Sequence, residues 1–317
     1  MLAAPLDRVV FESATARVGA FRCSARDPRF HDSGPTEQHL VVFPRTSVWI
    51  RHVDSAAFLA EPRIVTVYNR GQEYRRIEAS SDGDRSDWFA VTPEIALAIA
   101  QELDPRAAGD RERPYRVQWS TSDLDLYLRQ RALFLRMERG AVEPLEAEEA
   151  VFEIVARVLE RAHGVRRPPH SSMRATEAHR DLVQRARAEL ARDIGAQTDV
   201  TLLASRLQVS PYHLCRVFRA TTGMTLHAYR LDLRCRVALE RLSETRGDIS
   251  RVALELGFSS HSHFTATLRR QLGITPSQVR RALGNETKAV RVDARIHPTN
   301  ALSRPHPSRG FRRSSTR

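Results

Sequence analysis

Short runs of β-branched and aromatic residues fill the first third of the chain, and turn-forming residues separate them. Strands this short, at a spacing of roughly ten residues, are typical of a small β-barrel or sandwich. The pattern therefore predicts an all-β region from about residue 17 to residue 92. Its clearest strands are predicted at residues 38–43, 47–53, 63–68, 73–79 and 87–92.

The apolar spacing then changes to the three-and-four pattern of amphipathic helices. Ser122 is a suitable N-cap for the second of these helices. A Pro-Pro pair at 168–169 interrupts the helical pattern, and we place a domain boundary there. Four helices are predicted, at residues 93–103, 122–139, 144–163 and 175–194.

Two short helices joined by a tight turn are predicted after residue 197. Thr198 or Asp199 caps the first helix. Ser210 caps the second helix, and Pro211 occupies its first position, where a missing N–H has no cost. Gly223 ends the second helix, and the pair forms a helix-turn-helix unit. Its predicted inner face consists of Val200, Leu203, Ala204, Leu207, Leu214, Val217 and Phe218.

The same signals recur about fifty residues later. Asp248 caps a short helix, Gly257 suits a left-handed turn, and Ser259 or Ser260 caps the next helix. An amphipathic helix over residues 226–242 lies between the two units and is expected to hold them at a fixed spacing. The predicted inner face of the second unit consists of Ile249, Val252, Ala253, Leu256, Phe264, Leu268 and Leu272.

Positive charge is concentrated in the C-terminal part of the chain, which carries +12 as a whole. Residues 1–197 have 29 basic and 30 acidic side chains, residues 198–284 have 13 and 6, and residues 285–317 have 8 and 2. A basic segment attached to a neutral one is typical of a nucleic-acid-binding domain. The last segment lacks periodicity, so we expect a basic, disordered tail.

The segment from about Thr198 to Leu283 resembles the DNA-binding domain of the AraC/XylS family of bacterial transcription regulators. The strings that carry the resemblance are SPYHLCRVFRATTGMTLHAYR (210–230), LRCRVALERL (233–242) and ISRVALELGFSSHSHFTATLRRQLGITPSQVRR (249–281). Two linked units that end in this GITP string form a specific pattern. The resemblance implies binding to double-stranded promoter DNA, contact with RNA polymerase, and activation more than repression.

The resemblance also implies which side chains face DNA. Arg216 is the leading candidate for reading a base, because a guanidinium can contact O6 and N7 of guanine; the alternative is a phosphate contact. Ala266 and Leu268 depart from the arginine and phenylalanine that family members often carry, and Gln208 replaces a common glycine in the first turn. The implied DNA-facing residues are Tyr212, His213, Cys215, Arg216, Arg219, Ser260, His261, Ser262, Thr265 and Arg269.

By the same resemblance, the N-terminal half is similar to cupin-like domains that bind a small-molecule effector or pair two subunits into a homodimer. The predicted fold class is α+β multidomain, with an N-terminal small β-barrel (cupin-like) with helices and a C-terminal all-α double helix-turn-helix domain. The parts are the cupin-like domain (1–165), a linker and helix (166–197), the DNA-binding domain (198–284) and the tail (285–317). Residues that fit the barrel mouth, and equally a structural role, are Arg45, His52, Tyr68, Arg70 and Trp88.

Two other functions remain open at this point. One is nonspecific or architectural DNA binding, which would keep a steep salt dependence without a site preference. The other is a metal-dependent barrel enzyme with a DNA-binding attachment. His31, His39 and His52 are isolated, while His261 and His263 would point about 200° apart on a helix and not share a metal ion. We therefore predict no enzyme activity, no metal and no cofactor.

The cysteines and the N-terminus indicate the compartment. Cys23, Cys215 and Cys235 lie far apart and form no CxxC pair, so a disulfide framework is not expected. No apolar run approaches the roughly 18 residues needed to cross a membrane. Acidic Asp7 and Glu12 lie where a signal peptide would be apolar. We expect a cytoplasmic protein without membrane contact.

Overall fold

The N-terminal part of the chain is rich in β-sheet and the C-terminal part is helical. The computed structural model describes residues 6–31, 34–53, 55–164, 177–196, 199–244 and 248–284. The predicted linker around Pro168 and the predicted tail at 285–317 lie outside these residues, as does the alternative cap Thr198.

Antiparallel pairing joins the strands of the described residues into two sheets. The strands are β1 Asp7–Glu12, β2 Ala16–Cys23, β3 His39–Pro44, β4 Val48–His52, β5 Phe58–Ala60, β6 Ile64–Tyr68, β7 Tyr74–Glu78, β8 Asp84–Val91 and β9 Trp119–Thr121. A six-stranded sheet has the order β1-β2-β8-β3-β6-β9, and a three-stranded sheet has the order β5-β4-β7.

Helices pack on one face of the larger sheet and continue into the C-terminal part. They are α1 Pro93–Leu103, α2 Leu124–Glu138, α3 Pro144–Gly164, α4 Glu177–Arg192, α5 Val200–Arg206, α6 Pro211–Thr222, α7 Leu226–Glu244, α8 Ile249–Glu255, α9 His261–Leu272 and α10 Pro276–Leu283. No described helix is long and apolar enough to span a membrane.

The two faces of the larger sheet have different partners because side chains alternate along each strand. Val18, Val41 and Phe89 lie on neighbouring strands and pack into the core formed with α1, α2 and α3. On the opposite face, Phe21 and Ile64 join the core that includes the smaller sheet. The larger sheet is therefore covered on both faces, by helices and by the smaller sheet.

The two sheets do not form the closed barrel that the sequence analysis expected. The edge strands β1 and β9 of the larger sheet do not pair with each other, and within the described residues no hydrogen-bonded ladder joins the larger sheet to the smaller one. The sheet-rich N-terminal region and the helical C-terminal region are confirmed, whereas the cupin-like barrel is not.

Most of the local sequence predictions are confirmed. The five predicted strands correspond to β3, β4, β6, β7 and β8, and the four predicted helices correspond to α1 to α4. The predicted cap Ser122 is wrong: the Asp123 side chain accepts the N–H of Leu126 at 2.8 Å instead. Ser122 is buried, and both its hydroxyl and its carbonyl accept hydrogen bonds from Arg236.

The C-terminal part contains two helix-turn-helix units, formed by α5 with α6 and by α8 with α9. Both predicted inner faces are buried or partly buried except at Val200, which is exposed because it lies at the first position of α5. Helix α4 also belongs to the first unit, since Leu182, Ala186 and Leu190 share a core with Leu203 and Phe218.

We expect Gly257→Ala to lower the free energy of unfolding by about 2 to 4 kcal/mol, through left-handed strain and overpacking. Gly257 has φ +75°, and an added Cβ would overlap the carbonyl oxygen of Gly195 and the Arg234 guanidinium. Gly223→Ala is the matched control, because Gly223 has φ +73° with open space around the Cβ position. Urea denaturation measures the free energy of unfolding of both variants. Equal decreases in the two variants would contradict the predicted overlap at Gly257.

We expect Gln208→Gly to raise the free energy of unfolding by about 0.5 to 1 kcal/mol, because an L-residue is strained in the left-handed region. Gln208 has φ 58°, the only positive φ of a non-glycine residue in the described chain. Ser205→Gly is the control, because Ser205 lies within the right-handed helix α5. This substitution should lower the free energy of unfolding by about 0.5 kcal/mol. If Gln208→Gly instead lowers the free energy of unfolding, the Gln208 side chain must stabilise the fold by more than its left-handed backbone destabilises it.

Candidate nucleic-acid interface

The second helix of the first unit, α6, is fixed at both ends by local interactions. Ser210 Oγ accepts the backbone N–H of His213 at 3.2 Å, and Pro211 occupies the first helical position. Gly223 ends the helix in the left-handed conformation. Because the inner side chains, including Phe218, are buried in the core, the opposite face of α6 is directed to solvent.

Most of the residues predicted to contact DNA from α6 lie on this solvent face. The exposed ones are Tyr212, Cys215, Arg216 and Arg219. Tyr212 is the most exposed large hydrophobic side chain of the described residues, at 78%. His213 is half-buried, and its ring centroid lies 5.7 Å from that of His179 on α4. The geometry therefore presents four of the five predicted side chains on an open surface.

The second helix of the second unit, α9, has the same construction. Ser260 Oγ accepts the backbone N–H of His263 at 3.0 Å, and Gly273 ends the helix with φ 74°. Thr265 is half-buried, and no described residue forms a hydrogen bond with its buried hydroxyl. The remaining predicted side chains are exposed, namely Ser260, His261, Ser262 and Arg269.

Both helices lack acidic residues, which suits them to a phosphate backbone. Arg216 and Arg219 are the charged residues of α6, and Arg269 and Arg270 are those of α9. Neutralisation of phosphates by arginine releases condensed counterions and supplies much of the affinity of DNA-binding proteins. The two outer faces are therefore electrostatically fit for DNA, and the contacts of individual residues remain predictions.

The helix between the two units, α7, is buried to an unusual degree for a helix with several charged residues. All residues from Leu231 to Arg236 are buried, although they cover every side of the helix. The N-terminal part packs on one side of α7 and the helix-turn-helix units pack on the other. The helix that joins the two units is therefore also the main contact between the two parts of the chain.

Arg236, at the centre of α7, is fully shielded from solvent, with 0% of its surface exposed. Its Nε donates to Asp232 at 2.7 Å. Its two Nη atoms donate to the Pro62 carbonyl at 2.8 Å, and to the Ser122 carbonyl at 2.7 Å and hydroxyl at 3.2 Å. Arg63 also pairs with Asp232, at 2.9 Å. A buried guanidinium needs such partners, so Arg236 holds α7 to the segment that joins β5 to β6.

Glu61, in the same segment, is equally buried, with 0% exposed. Its carboxylate accepts hydrogen bonds from Arg187 on α4, at 2.8 and 3.0 Å, and from the Tyr229 hydroxyl on α7. The Arg187 guanidinium also donates to the Leu59 carbonyl at 3.1 Å. We call residues 61–63 the Glu61 loop. It lies between α4 and α7 and connects the N-terminal sheets to the first helix-turn-helix unit.

A third polar cluster surrounds Glu240 near the C-terminal end of α7. Glu240 accepts hydrogen bonds from the Tyr127 hydroxyl at 3.0 Å and from Arg45 Nε at 2.6 Å. Arg131 lies 3.3 Å from Glu240 and donates to Asp87 at 3.0 Å. Burial raises the pKa of Asp87 to about 6, although Arg131 and Arg45 oppose this increase.

Sequence reasoning did not identify this contact between the domains. One signal was present: Asp232, Arg236 and Glu240 recur at four-residue spacing, which places three charged residues on one face of the helix. Their partners Arg45, Pro62 and Arg63 lie more than 150 residues earlier and carry no comparable local pattern. A charged stripe on a buried helix indicates a polar contact without revealing what it contacts.

The five residues that were considered for the barrel mouth lie at different places in the structure. Tyr68 and Trp88 line a cavity of about 440 Å³ between the two sheets. His52 is buried beside Tyr68, with the two rings 5.1 Å apart, and burial lowers its pKa to about 4. Arg45 belongs to the Glu240 cluster, and Arg70 is exposed in a turn.

The polar groups of the cavity between the sheets come from both sheets. Arg76 on β7 lies 4.2 Å above the Phe21 ring, donates to the Phe30 carbonyl at 3.0 Å and lies 3.6 Å from Asp84 on β8. Burial raises the pKa of Asp84 to about 6, against the opposing effect of Arg76. The Trp88 indole N–H donates to Asp7 at 3.0 Å. The cavity therefore combines aromatic walls with two arginines, Arg17 and Arg76, and three acidic side chains, Asp7, Glu37 and Asp84.

The described residues contain no cluster of three or more histidine, cysteine or acidic side chains arranged for a metal ion. His261 is exposed, whereas the ring of His263 contacts Ser259 Oγ at 3.0 Å and packs edge-on against Phe258. Cys23 is buried, and burial raises the pKa of its thiol. A thiol that stays protonated is a weak nucleophile.

Comparisons with known proteins match the helical part of the chain. A family model described as a helix-turn-helix domain matches residues 203–282. The regulatory protein SoxS of Escherichia coli K12 is 30% identical over 106 residues, which is 33% of this chain and 99% of SoxS. The bifunctional transcriptional activator/DNA repair enzyme Ada of the same strain is 38% identical over 97 residues, 30% of this chain, and the match spans only 27% of Ada.

Solved structures give matches over the helical part and over most of the chain. An AraC-type transcriptional regulator from Chromobacterium violaceum is 28% identical, covering 34% of this chain and 96% of that one, with a TM-score of 0.33. ToxT from Vibrio cholerae is 9% identical, covering 86% of this chain and 100% of that one, with a TM-score of 0.35.

The match to SoxS extends over almost all of that protein, and the family model covers residues of both helix-turn-helix units. The repeated caps, the left-handed glycines and the connecting helix α7 agree with it. The chain belongs to the AraC/XylS family of transcription regulators.

Proposed function

We propose that this protein is a sequence-specific transcription regulator whose N-terminal region controls how α6 and α9 meet promoter DNA. The observation that carries the proposal is the position of α7, which joins the two exposed recognition helices and is buried by the N-terminal region. Such an arrangement favours control, because any shift of the N-terminal region against α7 also changes the spacing of the two units.

The proposed effector site is the cavity between the two sheets. Its volume of about 440 Å³ suits a small molecule. Phe21, Tyr68, Tyr74 and Trp88 offer aromatic contacts, and Arg76 offers a charged group close to Asp84. These groups favour a compact ligand with an apolar body and a hydrogen-bonding group. In this proposal the two open sheets take the role of the closed cupin-like barrel that the family resemblance implied.

The proposed assignment of the chain keeps the predicted parts: an effector-binding or dimerisation domain at 1–165 and a DNA-binding domain at 198–284. The shared core of α4 and the first unit supports extending the DNA-binding domain to Glu177. Activation through contact with RNA polymerase, and pairing of two copies, belong to this proposal on the family resemblance. Catalysis forms no part of it.

We expect Arg216→Ala to relax the preference for a promoter site more than it weakens nonspecific DNA binding, because a lost base contact removes about 1 to 3 kcal/mol of discrimination. Footprinting over promoter fragments at several salt concentrations measures both quantities. Two protected major-groove segments should lie about 34 Å apart.

Arg185→Ala is the control for the loss of one positive charge, since Arg185 is exposed on α4 and pairs with Asp181. Equal losses of specific and nonspecific affinity in Arg216→Ala would make Arg216 a phosphate contact only. Equal affinity of the unaltered protein for promoter and random DNA would instead favour the nonspecific binder.

We expect Glu61→Gln to loosen the contact between the N-terminal region and the first unit, because it leaves the buried Arg187 charge without a carboxylate partner. The free energy of unfolding should fall by about 1 to 3 kcal/mol. Amide hydrogen exchange in α4 and α7 should become faster, as measured by mass spectrometry. Glu73→Gln is the control in an exposed turn of the same region. Unchanged protection of α4 and α7 would show that Glu61 does not hold the contact.

A further inference from the structure

A second cavity lies where β1 and β2, helix α2 and the end of α7 meet. Its volume is about 600 Å³, and it shares only Leu6 with the cavity between the sheets. Arginine is its most frequent lining residue. The arginines of the lining are Arg8, Arg22, Arg45, Arg131 and Arg139, and its acidic residues are Glu138 and Glu244.

The charges in and around this cavity do not balance. Arg8 pairs with Glu138, while Arg45 and Arg85 share Glu244, and Arg45 and Arg131 share Glu240. Asp87 adds one further carboxyl group, beside Arg131. Among the described residues, Arg139 donates only to a neutral acceptor, the carbonyl of Leu283, at 3.1 Å. With Arg22 included, the guanidinium groups of this region exceed its carboxyl groups by two.

Arg22 is the cation that the surrounding residues leave uncompensated. Its guanidinium forms no side-chain hydrogen bond or ion pair with a described residue. Arg22 is exposed and lines the cavity. Partial desolvation lowers the pKa of Arg22, and the neighbouring positive charges of Arg85, Arg45 and Arg8 lower it further, against the opposing effect of Glu244. Several cations around an open space make a region of positive potential that an anion would stabilise.

Apart from Ser243, the rest of the lining is apolar and limits the kind of anion. Leu6 and Ala20 line the side formed by the sheet, and Phe134 and Leu135 line the side formed by α2. A cavity of this size holds a small organic molecule with room for more than a bare ion. Two excess positive charges match a dianion, and guanidinium groups match the geometry of phosphate oxygens.

We propose that this cavity binds a small phosphate monoester with an apolar group, its phosphate held by Arg22 with Arg8 and Arg139 and its apolar group against the half-buried Leu6 and Ala20. The site is distinct from the effector cavity between the sheets. It also touches the DNA-binding part, because Ser243 and Glu244 of α7 line it and Arg139 bonds to the end of α10. A ligand here contacts both parts of the chain at once.

The test is calorimetric titration of the full chain with phenyl phosphate at constant ionic strength. We expect saturable binding, no binding of phenol, and weaker binding of inorganic phosphate. Arg22→Gln should weaken the binding of phenyl phosphate at least about tenfold, the effect of losing one charge-assisted hydrogen bond. Arg22→Lys should retain part of the affinity, which separates loss of charge from loss of fold.

Arg26→Gln is the matched control, because Arg26 is an exposed arginine four residues away that does not line the cavity. It should leave the affinity for phenyl phosphate unchanged. Equal affinities of the unaltered protein and Arg22→Gln, or an equal loss in Arg26→Gln, would overturn the proposal. The proposal would also be overturned if the unaltered protein failed to bind phenyl phosphate and Arg22→Gln weakened DNA binding. That result would mean that these arginines contact DNA phosphates.

Discussion

The arrangement of the protein depends on the complete burial of one guanidinium, that of Arg236. A buried charge is costly unless every donor has a partner. Only Asp232 among its partners lies on the same helix, whereas Pro62 and Ser122 belong to the N-terminal part. The middle of helix α7 therefore cannot move away from Pro62 and Ser122 without leaving the Arg236 charge short of partners. Because of this constraint, α7 belongs structurally both to the DNA-binding part and to the N-terminal part of the chain.

The apolar cores show that the two helix-turn-helix units are attached differently. The second unit shares one continuous core with α2, α3 and the larger sheet, through residues such as Leu239, Phe264 and Leu283. The first unit has a separate core with α4, and its link to the N-terminal sheets consists largely of hydrogen bonds from Arg187 and Tyr229 to the Glu61 loop. The second unit thus moves with the N-terminal part, while the first is held by polar contacts.

Sequence reasoning succeeded where the determinants were local. Asp199, Ser210, Asp248 and Ser260 cap the helices that their positions predicted, and Gly257 has the left-handed φ that its turn requires. The short strands β1, β5 and β9 were not among the clearest predicted runs, because pairing with neighbours rather than their own composition makes them strands. The domain contact was missed for the same reason, since its partners are distant in sequence.

The polar character of the Glu61 contact bears on how control would reach DNA. Replacing an apolar contact with water is always unfavourable, whereas a buried ion pair recovers hydration when it separates, so its net free energy is small. A contact of that kind fixes geometry while it is closed and opens at modest cost. An effector alters DNA binding only by favouring one arrangement over another. The two units are attached to the N-terminal part in different ways. Separating the hydrogen bonds between Glu61 and the first unit should cost less free energy than separating the continuous apolar core of the second unit, so the first unit is the one that an effector can shift more easily.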